Sequence, residues 1–155
     1  MHGLFDSLRR DTRGNAVLEL AFVLPLLVLL FSGFLEVGRV YFQANAVEKG
    51  LRAGAFYASR QAIPLAPAAR AAAENLVKTG TLDGSGAMLV SGWARPGAGL
   101  IIDDSAVFTV GETQIPVLRL TATVPFDPIL PGLMSFAGLG DYTMSLSHEQ
   151  AYVGD

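Results

Sequence analysis

The stretch AVLELAFVLPLLVLLFSGFL, from Ala16 to Leu35, decides how the rest of the chain is organised. Its 20 residues contain one charged side chain, Glu19. As a helix it would be about 30 Å long, which is the thickness of the hydrocarbon core of a bilayer. A helix buried in a soluble core is seldom apolar on every face over such a length. The stretch therefore predicts a transmembrane helix over residues 16–35.

Charge on the two sides of this stretch predicts its orientation. Residues 1–14 contain three arginines and two aspartates, whereas Glu36 and Arg39 follow the stretch as a balanced pair. Because basic residues flanking a membrane helix favour the cytoplasmic side, we expect the N-terminus in the cytoplasm. Residues beyond about 36 then lie on the other side of the membrane.

Three fates of the first residues remain open. A secretory signal peptide could be cut at the small-x-small sequence Ala44-Asn45-Ala46, although the apolar run is longer than the usual 7–15 residues and charges intervene. The segment could instead stay as an uncleaved anchor. In the third case the chain is cut after Gly14, so that Asn15 becomes the first residue and the apolar helix stays in the mature protein.

Glu19 distinguishes these fates. A carboxylate deep in a membrane helix costs about 2.5 kcal/mol or more. After a cut behind Gly14, Glu19 is the fifth residue and Asn15 carries a free amine, which is a cation near neutral pH. Glu19 could pair with this amine in its own chain, or with a neighbour's amine in a bundle of parallel, staggered helices. The simpler alternative is a carboxylate that snorkels to the interface.

The residues around Glu19 also resemble a known family. RGNAVLELAFVLP over residues 13–25, FLEVGR over 34–39, Ala44, Val47-Glu48 and RAGA over 52–55 are similar to the opening of the TadE-like family, the minor pseudopilins of tight-adherence (Flp-type) pilus systems. The resemblance covers residues 13 to about 57. One departure is Leu20, where pilins of this system often have an aromatic residue.

The resemblance implies a precursor with a cytoplasmic leader over residues 1–14, which a prepilin peptidase removes between Gly14 and Asn15. It implies that Glu19 acts in assembly, through the N-terminal amine. The expected partners are the prepilin peptidase, other pilins and pseudopilins, an inner-membrane pilus assembly platform and the lipid bilayer. The expected location is the inner membrane, single-pass, with residues 61–155 in the periplasm, or incorporation in an extracellular pilus.

The alternative function is that of an uncleaved single-span membrane protein. Its outer domain would bind a ligand or act as a scaffold in a secretion complex. The two functions differ in the mass of the mature protein, because only the pseudopilin loses its first 14 residues.

The helix is expected to continue beyond the membrane. Apolar residues recur at the i, i+3, i+4 spacing of an amphipathic helix, at Val37, Val40, Tyr41, Ala44, Val47, Leu51, Ala55 and Ala58. We therefore expect one helix over residues 15–60, about 68 Å long. Pro25 removes a backbone donor from its first half and predicts a kink there.

Residues 61–155 predict a small helix-plus-sheet domain that covers the second half of the long helix. Ile63-Pro64 and Pro67 end the long helix, and a short helix follows over Ala68–Lys78. Four strands are predicted from alternating patterns, over Ala87–Ala94, Ala106–Val110, Leu118–Val124 and from Tyr142 toward Tyr152. The fold class is α+β and pilin-like, with a small antiparallel sheet against the helix. The Pro-rich loop 125–131 is either a partner surface or folds back on the sheet.

Composition excludes several other functions. The chain has 155 residues, a net charge of −3 and no cysteine, so that general attraction to nucleic acid, disulfides and thiolate chemistry are not expected. His2 and His148 are far apart in sequence and predict no metal site. No phosphate-binding, zinc-protease or serine-hydrolase motif occurs. We expect no enzyme, no cofactor, no metal and no nucleic-acid partner.

Overall fold

A computed structural model describes the backbone of residues 13–154 and the side chains of residues 16–154. Residues 1–12 of the predicted leader lie outside the described residues. The chain divides into two compact units, residues 1–37 and residues 38–155, which are described separately. The helices and strands are α1 (Arg13–Ala58), α2 (Pro67–Thr79), β1 (Gly99–Asp103), β2 (Val107–Val110), β3 (Thr113–Pro125), α3 (Pro131–Phe136) and β4 (Thr143–Ala151), with a 3₁₀ turn at Ser91–Ala94.

The long N-terminal helix is confirmed. It includes Pro25 and ends at Ala58, close to the predicted end near residue 60. Just after the end of the helix, the Ser59 hydroxyl donates to the Phe56 carbonyl oxygen over 3.0 Å. Pro64 follows a few residues later, and a proline cannot donate the backbone hydrogen bond that a regular helix needs. Within the described residues, α1 is the one helix that is long and apolar enough to cross a membrane.

The sheet is organised around β3, its longest strand. β1 pairs antiparallel with one edge of β3, with Leu100 opposite Ala122. β4 pairs antiparallel with the other edge, with Leu146 opposite the same residue. β2 pairs with the first part of β3, from Thr113 to Pro116. The small antiparallel sheet of the predicted α+β fold is therefore confirmed.

A β-bulge separates β1 from β2. Asp103 is opposite Arg119 and Val107 is opposite Pro116, so three residues on one strand face two on the other. The bulge contains Asp104, whose carboxylate accepts a hydrogen bond from the Leu65 backbone N–H over 2.7 Å. Arg70 lies 3.1 Å from the same carboxylate. The Leu65 hydrogen bond, with help from Arg70, holds the pKa of Asp104 below its usual range.

The core of the second unit lies between β3 and the two helices α1 and α2. Alternate residues of β3 point into it, because successive side chains of a strand face opposite sides. They are fully buried at Leu118, Leu120, Ala122 and Val124. The facing buried residues are Val47, Leu51, Ala55 and Ala58 of α1 and Ala73 and Val77 of α2. The predicted apolar stripe is correct from Val47 onward.

The first residues of the stripe are not buried. Val37 and Tyr41 are exposed, whereas Val40 and Ala44 are partly buried against the core. Helical spacing identifies a face of the helix, but the core of the second unit contacts only part of that face. The prediction was wrong for Val37 and Tyr41.

The predicted strand over Ala87–Ala94 is also wrong. This segment contains the 3₁₀ turn Ser91–Ala94, and the Leu89 amide donates to Lys78 at the end of α2 instead of to a strand. Its buried residues do not alternate with exposed ones as in a strand, since Val90 and Trp93, three positions apart, are both buried in the core. The strand that the sequence analysis missed is β1, in which only Leu100 and Ile102 pack against the core.

Two glycines allow α1 and α2 to approach closely. Gly50 and Gly54 are one turn apart on α1 and are both buried against α2. A Cβ added at Gly50 would collide with the Val77 carbonyl group, and one at Gly54 would lie 2.5 Å from Val77 Cγ2 and 2.9 Å from the Ala73 carbonyl oxygen. The contact between the helices therefore requires the absence of a side chain at both positions.

We predict opposite effects of the same substitution at two glycines of α1. Gly54→Ala should lower the stability of the protein by about 1–3 kcal/mol, because the added methyl group overpacks the contact with α2. Gly38→Ala is the matched control: no atom lies within 4 Å of a Cβ added there, and alanine favours a helix over glycine by about 1 kcal/mol. Thermal unfolding of the detergent-solubilised full chain, followed by circular dichroism, measures both. Equal melting temperatures of the two variants would contradict the close helix contact.

Candidate functional site

The predicted cleavage site lies at the beginning of α1. Gly14 and Asn15 are both within its first turn, which starts at Arg13. The peptide bond between them is therefore part of a helical segment that continues into the apolar run. Cleavage at this bond stays a prediction.

The apolar run forms an exposed helix surface. Every residue from Ala16 to Phe31 is exposed, on all sides of the helix. The largest exposed side chains include Phe22, Phe31 and Phe34. Soluble proteins rarely expose a contiguous apolar surface of this extent. Lipid or other apolar helices are the environments in which such a surface is stable.

Glu19 lies on this surface and is exposed. Among the residues with described side chains, we find no hydrogen bond or ion pair of Glu19. Its carboxylate is thus available to a cation from elsewhere. In an apolar environment such a pairing would be stronger than in water, because the effective dielectric constant is lower.

Pro25 interrupts the backbone hydrogen bonding of the same surface. It lies inside α1, and a proline has no N–H to donate to the carbonyl group four residues earlier, that of Ala21. A second local feature is Ser32, whose hydroxyl donates to the Val28 carbonyl oxygen over 2.7 Å. Membrane helices tolerate such interruptions where neighbouring groups satisfy the backbone. The kink at Pro25 stays a prediction.

Glu36 is a residue whose burial the sequence analysis missed. It immediately follows the apolar run, yet only 2% of its surface is exposed. Together with Ser59 it makes up the buried polar or charged residues in the part of the chain that the structure describes. In the sequence, Glu36 is simply the first charged residue after the apolar run, and no periodic pattern of apolar residues predicts that its side chain is buried.

A polar cluster in the second unit fixes the start of the Pro-rich loop. The Asp127 carbonyl oxygen accepts hydrogen bonds from Arg39 Nη2 over 2.8 Å and from Gln43 Nε2 over 3.5 Å. Arg95 Nη1 donates to the Phe126 carbonyl oxygen over 2.8 Å and to the Asp127 carboxylate over 3.0 Å. Phe126 itself is buried. Of the two possibilities for this loop, its first residues fold back onto the domain.

The rest of the loop remains exposed. Ile129 and Leu130 have exposed side chains, and α3 follows directly. The loop therefore combines a fixed base with an apolar surface. Sequence patterns did not show which residues hold it, because Arg39 and Gln43 contact a backbone oxygen 84 or more positions away.

Residues that could carry other chemistry are dispersed. Among the described residues, no group of three or more histidine, aspartate or glutamate side chains could hold a metal ion. Asp103 accepts hydrogen bonds from the Ser105 hydroxyl and amide over 2.7 and 2.9 Å, and the serine lowers its pKa. This local turn accounts for the paired aspartates Asp103 and Asp104 at the bulge.

A model of the family described as TadE-like protein matches residues 14–55. The match begins at the glycine of the predicted cleavage site and covers most of α1. It confirms the resemblance to the TadE-like family that the sequence motifs indicate for this segment. No curated protein and no solved structure matches the chain.

We predict that Arg39 holds the base of the Pro-rich loop in place. Arg39→Ala removes the 2.8 Å hydrogen bond to Asp127, so amide hydrogen exchange over residues 126–134 should become faster. Arg52→Ala is the control, since Arg52 is exposed on the same helix and pairs only within it, with Glu48. Unchanged exchange in Arg39→Ala, relative to Arg52→Ala, would show that the cluster does not hold the loop.

Proposed function

We propose that this chain is a minor pseudopilin of a tight-adherence type IV pilus. It is made as a precursor, inserted in the inner membrane with residues 1–14 in the cytoplasm, and cut by a prepilin peptidase between Gly14 and Asn15. The mature protein then acts in pilus assembly or initiation. The observation that carries this proposal is the family match, which begins at Gly14 and continues along the apolar helix.

The exposed apolar run supports the membrane part of the proposal. Residues 16–35 are the transmembrane segment, and residues 61–155 belong to the periplasmic or extracellular side. The three arginines of the leader favour this orientation. The family match over residues 14–55 supports a pilus-associated role, and the length and composition of α1 are those of a helix able to span a membrane.

Cleavage changes what Glu19 can do. It gives Asn15 a free amine about one helical turn from the Glu19 carboxylate. While the helix lies alone in the bilayer, the two groups of one chain partly compensate each other. When parallel helices associate with an axial stagger, the carboxylate can meet the amine of a neighbouring chain. Glu19 thereby favours a particular stagger between neighbours, because an unpaired charge inside the bundle is unfavourable.

In this proposal, pilins assemble through the apolar surfaces of their N-terminal helices. The second unit lies on the periplasmic or extracellular side of the membrane. The partners are other pilins and pseudopilins, the peptidase and an inner-membrane assembly platform. The alternative is an uncleaved single-span protein with an outer ligand-binding or scaffolding domain. It predicts a mature protein that still begins at Met1.

We predict that a bulky residue at position 14 prevents processing. Gly14→Leu should leave the precursor uncut, because the residue before the cleaved bond must fit a pocket of the peptidase. The matched control is Gly33→Leu, a glycine of the same helix with no atom within 4 Å of an added Cβ. Mass spectrometry of the membrane fraction identifies the first residue. A wild-type protein that begins at Met1 or at Val47 instead of Asn15 would refute the proposal.

We predict that Glu19→Ala impairs assembly but not insertion or cleavage. Insertion should be unchanged or easier because a charge leaves the bilayer, whereas co-purification with other pilins and the number of surface pili should fall. Glu48→Ala is the control, since Glu48 lies on the same helix beyond the apolar run and pairs with Arg52. Precursor, mature protein and pili are scored in strains that lack the wild-type copy. Normal pili in the Glu19→Ala strain, where the protein itself is required for pili, would exclude the pairing role.

A further inference from the structure

The segment from Pro128 to Gly140, here called the apolar loop, is a second apolar surface outside the long helix. Its 13 residues contain no charged side chain, and Asp127 and Asp141 lie on either side of it. It includes α3 and the turns before and after it. The exposed large side chains of the loop are Ile129, Leu130, Phe136 and Leu139.

Phe136 is the most exposed large apolar side chain among the described residues. Its exposed fraction is 87%, which is higher than that of Phe22 or Phe34 in the apolar run. A single exposed apolar residue is common in soluble proteins. Here, however, Phe136 belongs to a continuous uncharged segment with three other exposed large side chains.

Several backbone groups of the apolar loop form hydrogen bonds within the loop. The Leu130 carbonyl oxygen accepts from the amides of Leu133 and Met134, and Met134 in turn accepts from Leu139 over 2.8 Å. Met134 is the buried residue of α3. A surface that leaves water must have its backbone groups hydrogen-bonded internally. The hydrogen bonds within the loop meet part of this requirement.

The start of the loop is bound by two residues that follow the apolar run within about two turns of the same helix. Asp127, the residue directly before the loop, is bound by Arg39 and Gln43. Arg39 is four residues from Leu35, the last residue of the apolar run, and four residues of a helix rise about 6 Å. This distance is about the depth of the interfacial region of a bilayer on one side of its hydrocarbon core.

From its composition and from the position of Arg39 in the chain we infer that the apolar loop inserts its exposed side chains into the outer interface of the bilayer. The inference rests on the membrane-spanning part of the proposed function. The ligand is the lipid bilayer itself, at the level of the headgroups and the first acyl carbons. Exposed Phe and Leu side chains are suited to this region.

The hydrophobic effect, and not electrostatic attraction, favours the contact of the apolar loop with the bilayer. The loop has no basic residue, and an aspartate lies at each end. Asp127 is already paired with Arg95. Contact with the bilayer should therefore be insensitive to salt and should not require anionic lipid, in contrast to binding by a basic patch. The contact would hold the second unit against the membrane until the protein leaves the bilayer.

Single-cysteine variants test this contact, because the chain has no cysteine of its own. The full chain is reconstituted in phosphatidylcholine vesicles and labelled with an environment-sensitive fluorophore at Phe136→Cys. Phe108→Cys is the matched control: it is an exposed phenylalanine of β2, opposite Ile115, about 33 Å along β3 from Pro125. Leu27→Cys, in the middle of the apolar run, reports on the membrane span.

We expect brominated lipids to quench most of the emission at positions 27 and 136 and little at position 108, both at low salt and in 1 M salt. Quenching at 27 but not at 136 would overturn the apolar-loop inference and leave the membrane span intact. In that case aqueous iodide distinguishes a loop in water from one covered by protein, and both results contradict lipid contact. Equal quenching at 108 and 136 would also overturn it. Absence of quenching at 27 would refute the membrane span, and the inference with it.

Discussion

One helix has to satisfy two different environments, and the rest of the structure follows from this constraint. Over residues 16–31, α1 exposes apolar side chains in every direction, which is stable only among lipids or other apolar helices. From Val47 onward the same helix buries one face against β3. A sheet with one apolar face and a second helix are sufficient to cover that face. The small domain is therefore built as a cover for the second half of α1.

The close approach of α2 shows how this cover is completed. Gly50 and Gly54 leave room for the backbone of α2, and a methyl group at either position would overlap it. Packing at such short range increases dispersion contacts, which are individually weak but numerous. The side of α1 that faces α2 is consequently occupied by small residues. Leu51, a large residue of the same helix, is fully buried in the core cluster that also contains Leu118 and Leu120.

Polar side chains hold the connections of this domain in place. Asp104 binds the Leu65 amide and Arg70, which connects the β-bulge to the segment between the two helices. Arg39 and Gln43 bind the Asp127 carbonyl oxygen, which fixes the beginning of the apolar loop. Both sets satisfy backbone groups at sites without a strand partner. A buried backbone group left unpaired is costly, and these side chains remove that cost. Both polar clusters therefore have a structural role within the second unit.

The sequence by itself determined the long helix, its apolar first half, the short helix α2 and three of the four strands, because an unbroken apolar run, an alanine-rich composition and helical or alternating spacing are all local signals. It also determined where the family match begins, since Gly14, Glu19 and Pro25 form a local motif. Only the tertiary structure decided which part of the stripe on α1 is buried, that Ala87–Ala94 is no strand, and that β1 is one. It likewise decided that Glu36 is buried and that Arg39 reaches Asp127. These features depend on contacts between residues far apart in the chain, and a local pattern contains no information about which distant backbone group a polar side chain will meet.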